Sequence, residues 1–339
     1  MPCALVYTGR RARPSIYFVN ECPCCASQDL QKWPAIVSPF IALYACETKL
    51  GRCNLCECMS CSFRFFDSRL ADAEVQRLYA AYREVGYFEA RHSYEFWYSK
   101  TVNDGIGSDA AEISSRQQNL TAILGERSHS ISTVLDYGGD RGQFIPEGVG
   151  TERYVYELSS AEPAKGVVRL ASVEGRQFDF VMLAHVLEHC SEPKQILQAL
   201  KPLGHEKTLF YFEVPFERPS LGWTGRGSWQ ERYLEALLRA EPLLQLVDLY
   251  STIARIKFNL VPPLGLQKCS EHLNFFNERS LQKLLNSAGF ELLNSGVAPV
   301  TSCGRVSQNI LQGLARVVPE ARRSAVDTTS TEAAASPAK

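Results

Sequence analysis

The chain has 339 residues, a formal net charge of −1, 45% hydrophobic residues and 22% charged residues. That is a globular composition with room for about two domains of roughly 100–200 residues each. The balanced charge provides no basic field for bulk nucleic-acid binding, and no apolar run approaches the roughly 18 residues of a membrane span.

The start, MPCALVYTGRRARPS, lacks the apolar core and cleavage site of a signal peptide, so a cytoplasmic protein is expected. Nine of the twelve cysteines lie between Cys3 and Cys61. Without an export signal they point to bound metal in a reducing compartment rather than to a disulfide framework. Residues 1–66 are rich in Cys and Pro, read as short strands and turns, and are expected to form a zinc-binding domain. Cys22 and Cys25 form one C-x-x-C knuckle and Cys58 and Cys61 a second, and two such knuckles suit a tetrahedral structural Zn²⁺. Cys53 and Cys56 are a reserve pair, and Cys24 is a spectator. Four thiolates close the coordination sphere, so this zinc is structural and not catalytic.

Residues 67–128 are expected to form a helical, aromatic connector and lid. Val75, Leu78, Tyr79 and Tyr82 share helical spacing, with Gly86 as a stop. The cluster Tyr87, Phe88, Tyr94, Phe96, Trp97 and Tyr98 reads either as a buried helix face or as a flap over a site, and Ser114–Gly125 as a further helix. From Ile131 the chain alternates strands and helices, with strands expected at Ser132–Tyr137, Arg153–Glu157, Phe178–Ala184 and Thr208–Val214. This alternation predicts an α/β, Rossmann-like, doubly wound sheet over 129–316. Ser191 and Pro193 open a helix with Ile196, Leu197 and Leu200 on its apolar side. Residues 217–265 read as an insertion covering the sheet, with a helical stretch broken by Pro242. Asn277 caps a helix that Gly289 ends. Residues 317–339 are expected to be a disordered tail.

The stretch Val134-Leu-Asp-Tyr-Gly-Gly-Asp-Arg-Gly142 places Asp136, Gly138, Gly139 and Gly142 just past a strand, where an open α/β sheet binds its ligand. It is neither G-x-G-x-x-G nor a P-loop. Twenty-one residues after Asp136, Glu157 ends the second strand, where a carboxylate can accept two ribose hydroxyl protons. These residues resemble the class I S-adenosylmethionine-dependent methyltransferases. The run Phe178–Pro193 is similar to that family's fourth strand and turn, and Glu213-Val-Pro215 to the end of its fifth. The resemblance implies a cofactor site at Asp136, Gly138, Gly139, Gly142 and Glu157, with His185 near the methyl group. Asp140 stands where many members carry Gly.

A hydroxyl or carbon-acid acceptor must lose a proton, and the candidate bases are His185, His189 and His272, with Glu271 placed to orient His272. The Cys₄ segment, this core and a Glu-His pair together resemble the nucleotide-sugar C-methyltransferases, which implies Glu271 and His272 beside a sugar-like acceptor. Cys269 replaces a Tyr of that family, and only about 50 residues follow Gly289 where the family carries a further domain. Two other readings stay open. One is an RNA or protein methyltransferase using the zinc segment for recognition, although Cys22–Cys61 is not notably basic and the clearest patch is Arg10-Arg11-Arg13. The other is a binding protein without catalysis.

Overall fold

A computed structural model describes residues 16–221, 228–302 and 305–319. The basic patch Arg10-Arg11-Arg13, Trp223 and nearly all of the expected tail lie outside the described residues. The N-terminal segment forms β1 (Ile16–Phe18), β2 (Leu30–Val37), β3 (Arg52–Cys58), β4 (Arg64–Phe66) and β5 (Ser68–Leu70). Helices α1 (Asp72–Ala80), α2 (Val85–Tyr94), α3 (Lys100–Gly105) and α4 (Ala110–Leu124) follow. As expected, α1 buries Val75, Leu78 and Tyr79. It stops short of Gly86 because Arg83 takes a left-handed turn (φ 65°) and Gly86 falls inside α2.

The second half carries β6 (Thr133–Tyr137), β7 (Glu152–Tyr156), β8 (Val168–Arg169), β9 (Phe178–Ala184), α5 (Pro193–Leu200) and β10 (Gly204–Pro215). Then come α6 (Ser228–Arg239), α7 (Glu241–Phe258), β11 (Lys268–Cys269), β12 (Asn274–Phe275), α8 (Glu278–Ala288), β13 (Phe290–Ser302) and β14 (Arg305–Val317). Seven strands form the main sheet in the order β13-β14-β10-β9-β6-β7-β8. From β8 to β10 every pair is parallel, and β14 runs antiparallel to both neighbours. This is the expected α/β architecture. Its strand order reverses between β6 and β9, so the carboxyl ends of those strands open a crevice. The ends of α8 follow the sequence signals, whereas Ser191 does not cap α5: Glu192 holds the cap position and the Ser191 hydroxyl donates to the Leu70 carbonyl. The Asn277 side chain accepts from the Ser280 N–H, a cap of about 1 kcal/mol, and Gly289 closes α8 in the left-handed region.

The N-terminal segment does not make a separate body. Its five-stranded sheet has the order β11-β2-β3-β4-β12, so two of its strands come from residues 268–275. Cys22, Cys58, Cys61, Phe63 and Phe65 share one continuous core with Val186, Leu187, Leu284 and Phe276. The expected boundary at residue 66 therefore separates no two cores. The expected insertion also lies elsewhere than supposed. Leu234 and Leu237 of α6 and Leu244 of α7 bury Ile36 of β2, so these helices cover the small sheet rather than the parallel one. The expected break lies at Pro242: α6 ends at Arg239, and Pro242 sits in the first turn of α7, where its missing N–H costs nothing. Among the described residues no helix is long and apolar enough to cross a membrane.

Candidate active site

The crevice at the strand reversal is a cavity of about 560 Å³, whose wall includes Gly138, Gly139, Asp140, Glu157, His185, His189, Glu271 and His272. The loop after β6 shapes one end. Asp136 is fully buried, and both of its carboxylate oxygens lack a hydrogen-bond partner. Burial pushes its carboxyl up to about 7, with Glu157, Glu213 and Asp140 acting in the same direction and the Arg116 cation against it. A Cβ on Gly139 would fall 2.0 Å from the Asp136 carboxyl carbon, so only glycine lets the chain pass there. Gly142 has φ 70°, and a Cβ there would meet Val167 at 2.8 Å. Asp140 adopts φ 56°, which explains why the departure from Gly is tolerated: Asp is among the few residues that enter the left-handed region readily. One Glu157 oxygen accepts the N–H of Leu158 (2.8 Å) and Ser159 (3.0 Å), and the other accepts that of Asp140 (3.0 Å). The carboxylate is thereby tied to the glycine loop across the crevice.

Three histidines line the other end. His185 has φ 56° where β9 ends. Its Nε2 lies 3.1 Å from Glu213, and burial, reinforced by the Arg116 cation, lowers its pKa to about 4, so the ring is neutral. Glu213 is buried, yet Arg116 and His185 hold its carboxyl down at about 2. His189 Nδ1 lies 2.9 Å from the Glu271 carbonyl and 3.0 Å from the Tyr79 hydroxyl. Its ring packs edge-on against His272, with centroids 4.8 Å apart. Backbone pairing brings these groups together. The Leu273 N–H donates to the Glu188 carbonyl (2.7 Å), and the Asn274 side chain donates to the carbonyls of Leu187 (2.8 Å) and Cys190 (2.7 Å). The short strands β11 and β12 thus deliver residues 271–273 to the turn after β9.

The expected Glu271–His272 partnership is not formed. The Glu271 carboxylate accepts from Arg91 (3.0 Å) and from the Tyr87 hydroxyl. Glu271 sits at a bend between β11 and β12, and its side chain turns to the α2 side. His272 instead meets Glu217, Nδ1 to Oε2 at 3.0 Å. Although burial opposes it, Glu217 raises the His272 pKa to about 9. At neutral pH the ring carries a proton, so the free base expected from the sequence is not the resting form. Glu188, buried with neither oxygen hydrogen-bonded and its Oε1 3.5 Å from His185 Nδ1, also adjoins this pair. Glu217, Glu188, Arg91 and Arg116 were not among the sequence candidates. Only Glu188 had a visible signal, its place inside His185-Val-Leu-Glu-His189. Cys269 lies on β11 and accepts from the Ser68 hydroxyl (3.4 Å).

The cysteines sort by strand geometry. Cys22, Cys25, Cys58 and Cys61 bring their sulfurs within 4.8 Å of one another, with the contacts 22–61, 25–58 and 25–61 all at 3.6 Å. A tetrahedron of sulfurs about 2.3 Å from zinc has edges of about 3.8 Å, so the donor set fits the ion. The reserve pair cannot act together. Cys53 and Cys56 both lie in β3, and three residues along a strand is an odd step, so they face opposite sides and join different cores. Cys24 is buried outside the four.

A family model described as a methyltransferase domain matches residues 110–295. No curated protein matches the chain in sequence. Among solved structures, the fold is similar to a Burkholderia thailandensis 1,6-didemethyltoxoflavin-N1-methyltransferase at 19% identity and a TM-score of 0.39, covering 68% of this chain and 91% of that one. It is also similar to the mitomycin 7-O-methyltransferase (12% identity, TM-score 0.34), covering 68% of this chain and 60% of that one. A S-adenosylmethionine-dependent methyltransferase from Aquifex aeolicus is similar at 15% identity and a TM-score of 0.36, over 63% of this chain and 96% of that one.

Proposed function

Because the chain belongs to the methyltransferase-domain family, we propose that it methylates a sugar or nucleotide-sugar derivative with S-adenosylmethionine as donor. The observation that carries this reading is one cavity bounded at one end by the Asp136–Gly142 loop with Glu157 and at the other by the histidine wall. The unpartnered Asp136 carboxylate, packed directly against Gly139, fits a cationic, nucleoside-bearing cofactor. Glu157 would accept from its ribose hydroxyls. Bound there, the cofactor supplies an activated methyl group. The cavity volume is in the range of small-molecule sites, and Tyr82, Tyr98, Arg91 and Glu271 on its wall offer ring faces and charged hydrogen-bond partners to a polyhydroxyl acceptor. The acceptor's proton leaves on the side lined by His189, with protonated His272 beside it and Glu217 orienting His272 in place of Glu271. Cys22, Cys25, Cys58 and Cys61 hold a structural Zn²⁺ as thiolates, which suits a reducing cytoplasm.

A mass-resolved screen of keto- and hydroxy-sugar nucleotides tests the assignment, with one added methyl group as the expected product. In the same assay His272→Ala is expected to lower turnover by about 10²-fold or more while cofactor affinity stays within about twofold. Unchanged turnover removes His272 from the chemistry. Cofactor binding is also expected to depend on pH through Asp136. Below pH 7 its carboxyl is mostly neutral, and above it an anion. A cationic ligand favours the anion, so affinity rises by about tenfold from pH 6 to pH 8, following the ionised fraction. Asp136→Asn is expected to flatten that profile in a binding titration.

A further inference from the structure

Glu188, His189 and His272 each offer one ligand atom within 4.8 Å of the others, with His189 and His272 on the wall of the cavity, Glu188 buried behind them, and all three far in sequence from the four cysteines. What separates this cluster from an incidental meeting of polar groups is how its outer atoms are used. His272 Nδ1 is engaged by the Glu217 carboxylate at 3.0 Å. His189 Nδ1 is engaged by the Glu271 carbonyl at 2.9 Å and the Tyr79 hydroxyl at 3.0 Å. Metal-binding imidazoles characteristically have one ring nitrogen fixed by a carboxylate or carbonyl, which leaves the other to the ion. The inner atoms match that description. His189 Nε2 and both Glu188 oxygens are buried, lack hydrogen-bond partners, and approach one another to 3.7 Å. The two residues are 5% and 1% exposed, and leaving such buried groups unsatisfied is costly.

We propose that Glu188, His189 and His272 bind a divalent transition-metal cation at the acceptor end of the cavity. Two imidazoles and one carboxylate suit Zn²⁺, Fe²⁺ or Mn²⁺ and leave coordination positions open, in contrast to the closed cysteine site. An oxygen of the acceptor is the natural further ligand, since His189 and His272 both line the cavity. That use of the ion rests on the methyl-transfer reading, whereas its binding does not.

Cobalt(II) titrated into full-length protein that keeps one zinc at its cysteines tests the site. The wild type is expected to bind one further equivalent, without the intense charge-transfer band that thiolate ligands would give. Glu188→Gln and His272→Ala are each expected to bind no further equivalent while keeping their zinc, and Glu217→Gln to bind it about 10–100-fold more weakly. No further equivalent in the wild type, or an equally tight one in the folded His272→Ala chain, overturns the proposal. A wild type that binds no cobalt but binds S-adenosylmethionine contradicts this inference alone. Cobalt binding without cofactor binding contradicts the methyl-transfer reading alone.

Discussion

Gly139→Ala is expected to weaken binding of S-adenosylmethionine by more than about 10²-fold. The reason is steric and local. The new Cβ would lie 2.0 Å from the Asp136 carboxyl carbon and 2.1 Å from one of its oxygens, distances that no repacking of a short, fully buried side chain can absorb in place. Asp136 must rotate or the loop must move, and either disturbs the surface on which the cofactor rests. Gly86→Ala is the matched control. Nothing lies within 4 Å of its Cβ position, and it sits in α2, so the same change there is expected to be neutral or to stabilise by up to about 1 kcal/mol. Titration calorimetry on both variants, with thermal melts alongside, separates loss of the site from loss of the fold.

Cys58→Ser is expected to release the structural zinc and unfold the protein cooperatively, with loss of activity. Zinc held by four thiolates contributes about 10–16 kcal/mol of apparent binding free energy, more than the 5–15 kcal/mol by which a domain is ordinarily stable. The damage should not stop at the N-terminal segment. Asn274 and Phe275 of β12 pair with Phe65 and Arg64 of β4, the strand that follows Cys61, so the segment carrying His272 leans on the sheet that the cysteines tie together. The expected reading is a zinc content near zero and a transition more than about 10 °C lower. Cys56→Ser, three residues from Cys53 in the same strand and outside the four, should keep its zinc. Zinc retained in Cys58→Ser would contradict the ligand set.

Much of the fold was legible because its signals are local. The four parallel strands expected from apolar runs and the capped helix α8 are set by patterns spanning a dozen residues or fewer. The glycine-loop side of the cavity was legible for the same reason, since Asp136 lies on β6 and the glycines and Glu157 directly follow two neighbouring strands. The ligand cysteines could be told from the reserve pair only once β3 was seen to run through Cys53 and Cys56. What stayed hidden depends on distant segments. The strands β11 and β12 have two residues each, too few for any periodicity, and they exist because β2 and β4 present open edges to them. Their pairing decides that His272 meets Glu217 and Glu188, and that Glu271 turns to Arg91. Neighbours in sequence suggested the opposite partnership, and the bend at Glu271 between the two short strands overruled it.

Equilibrium binding of S-adenosylmethionine to the wild type and to Glu157→Ala tests the central claim most directly. The wild type is expected to bind one equivalent with a dissociation constant between roughly 1 μM and 1 mM, and Glu157→Ala to bind at least about tenfold more weakly, as loss of a charge-assisted pair of hydrogen bonds to the ribose requires. Absence of wild-type binding at millimolar cofactor, or equal affinity in the two proteins, would contradict it.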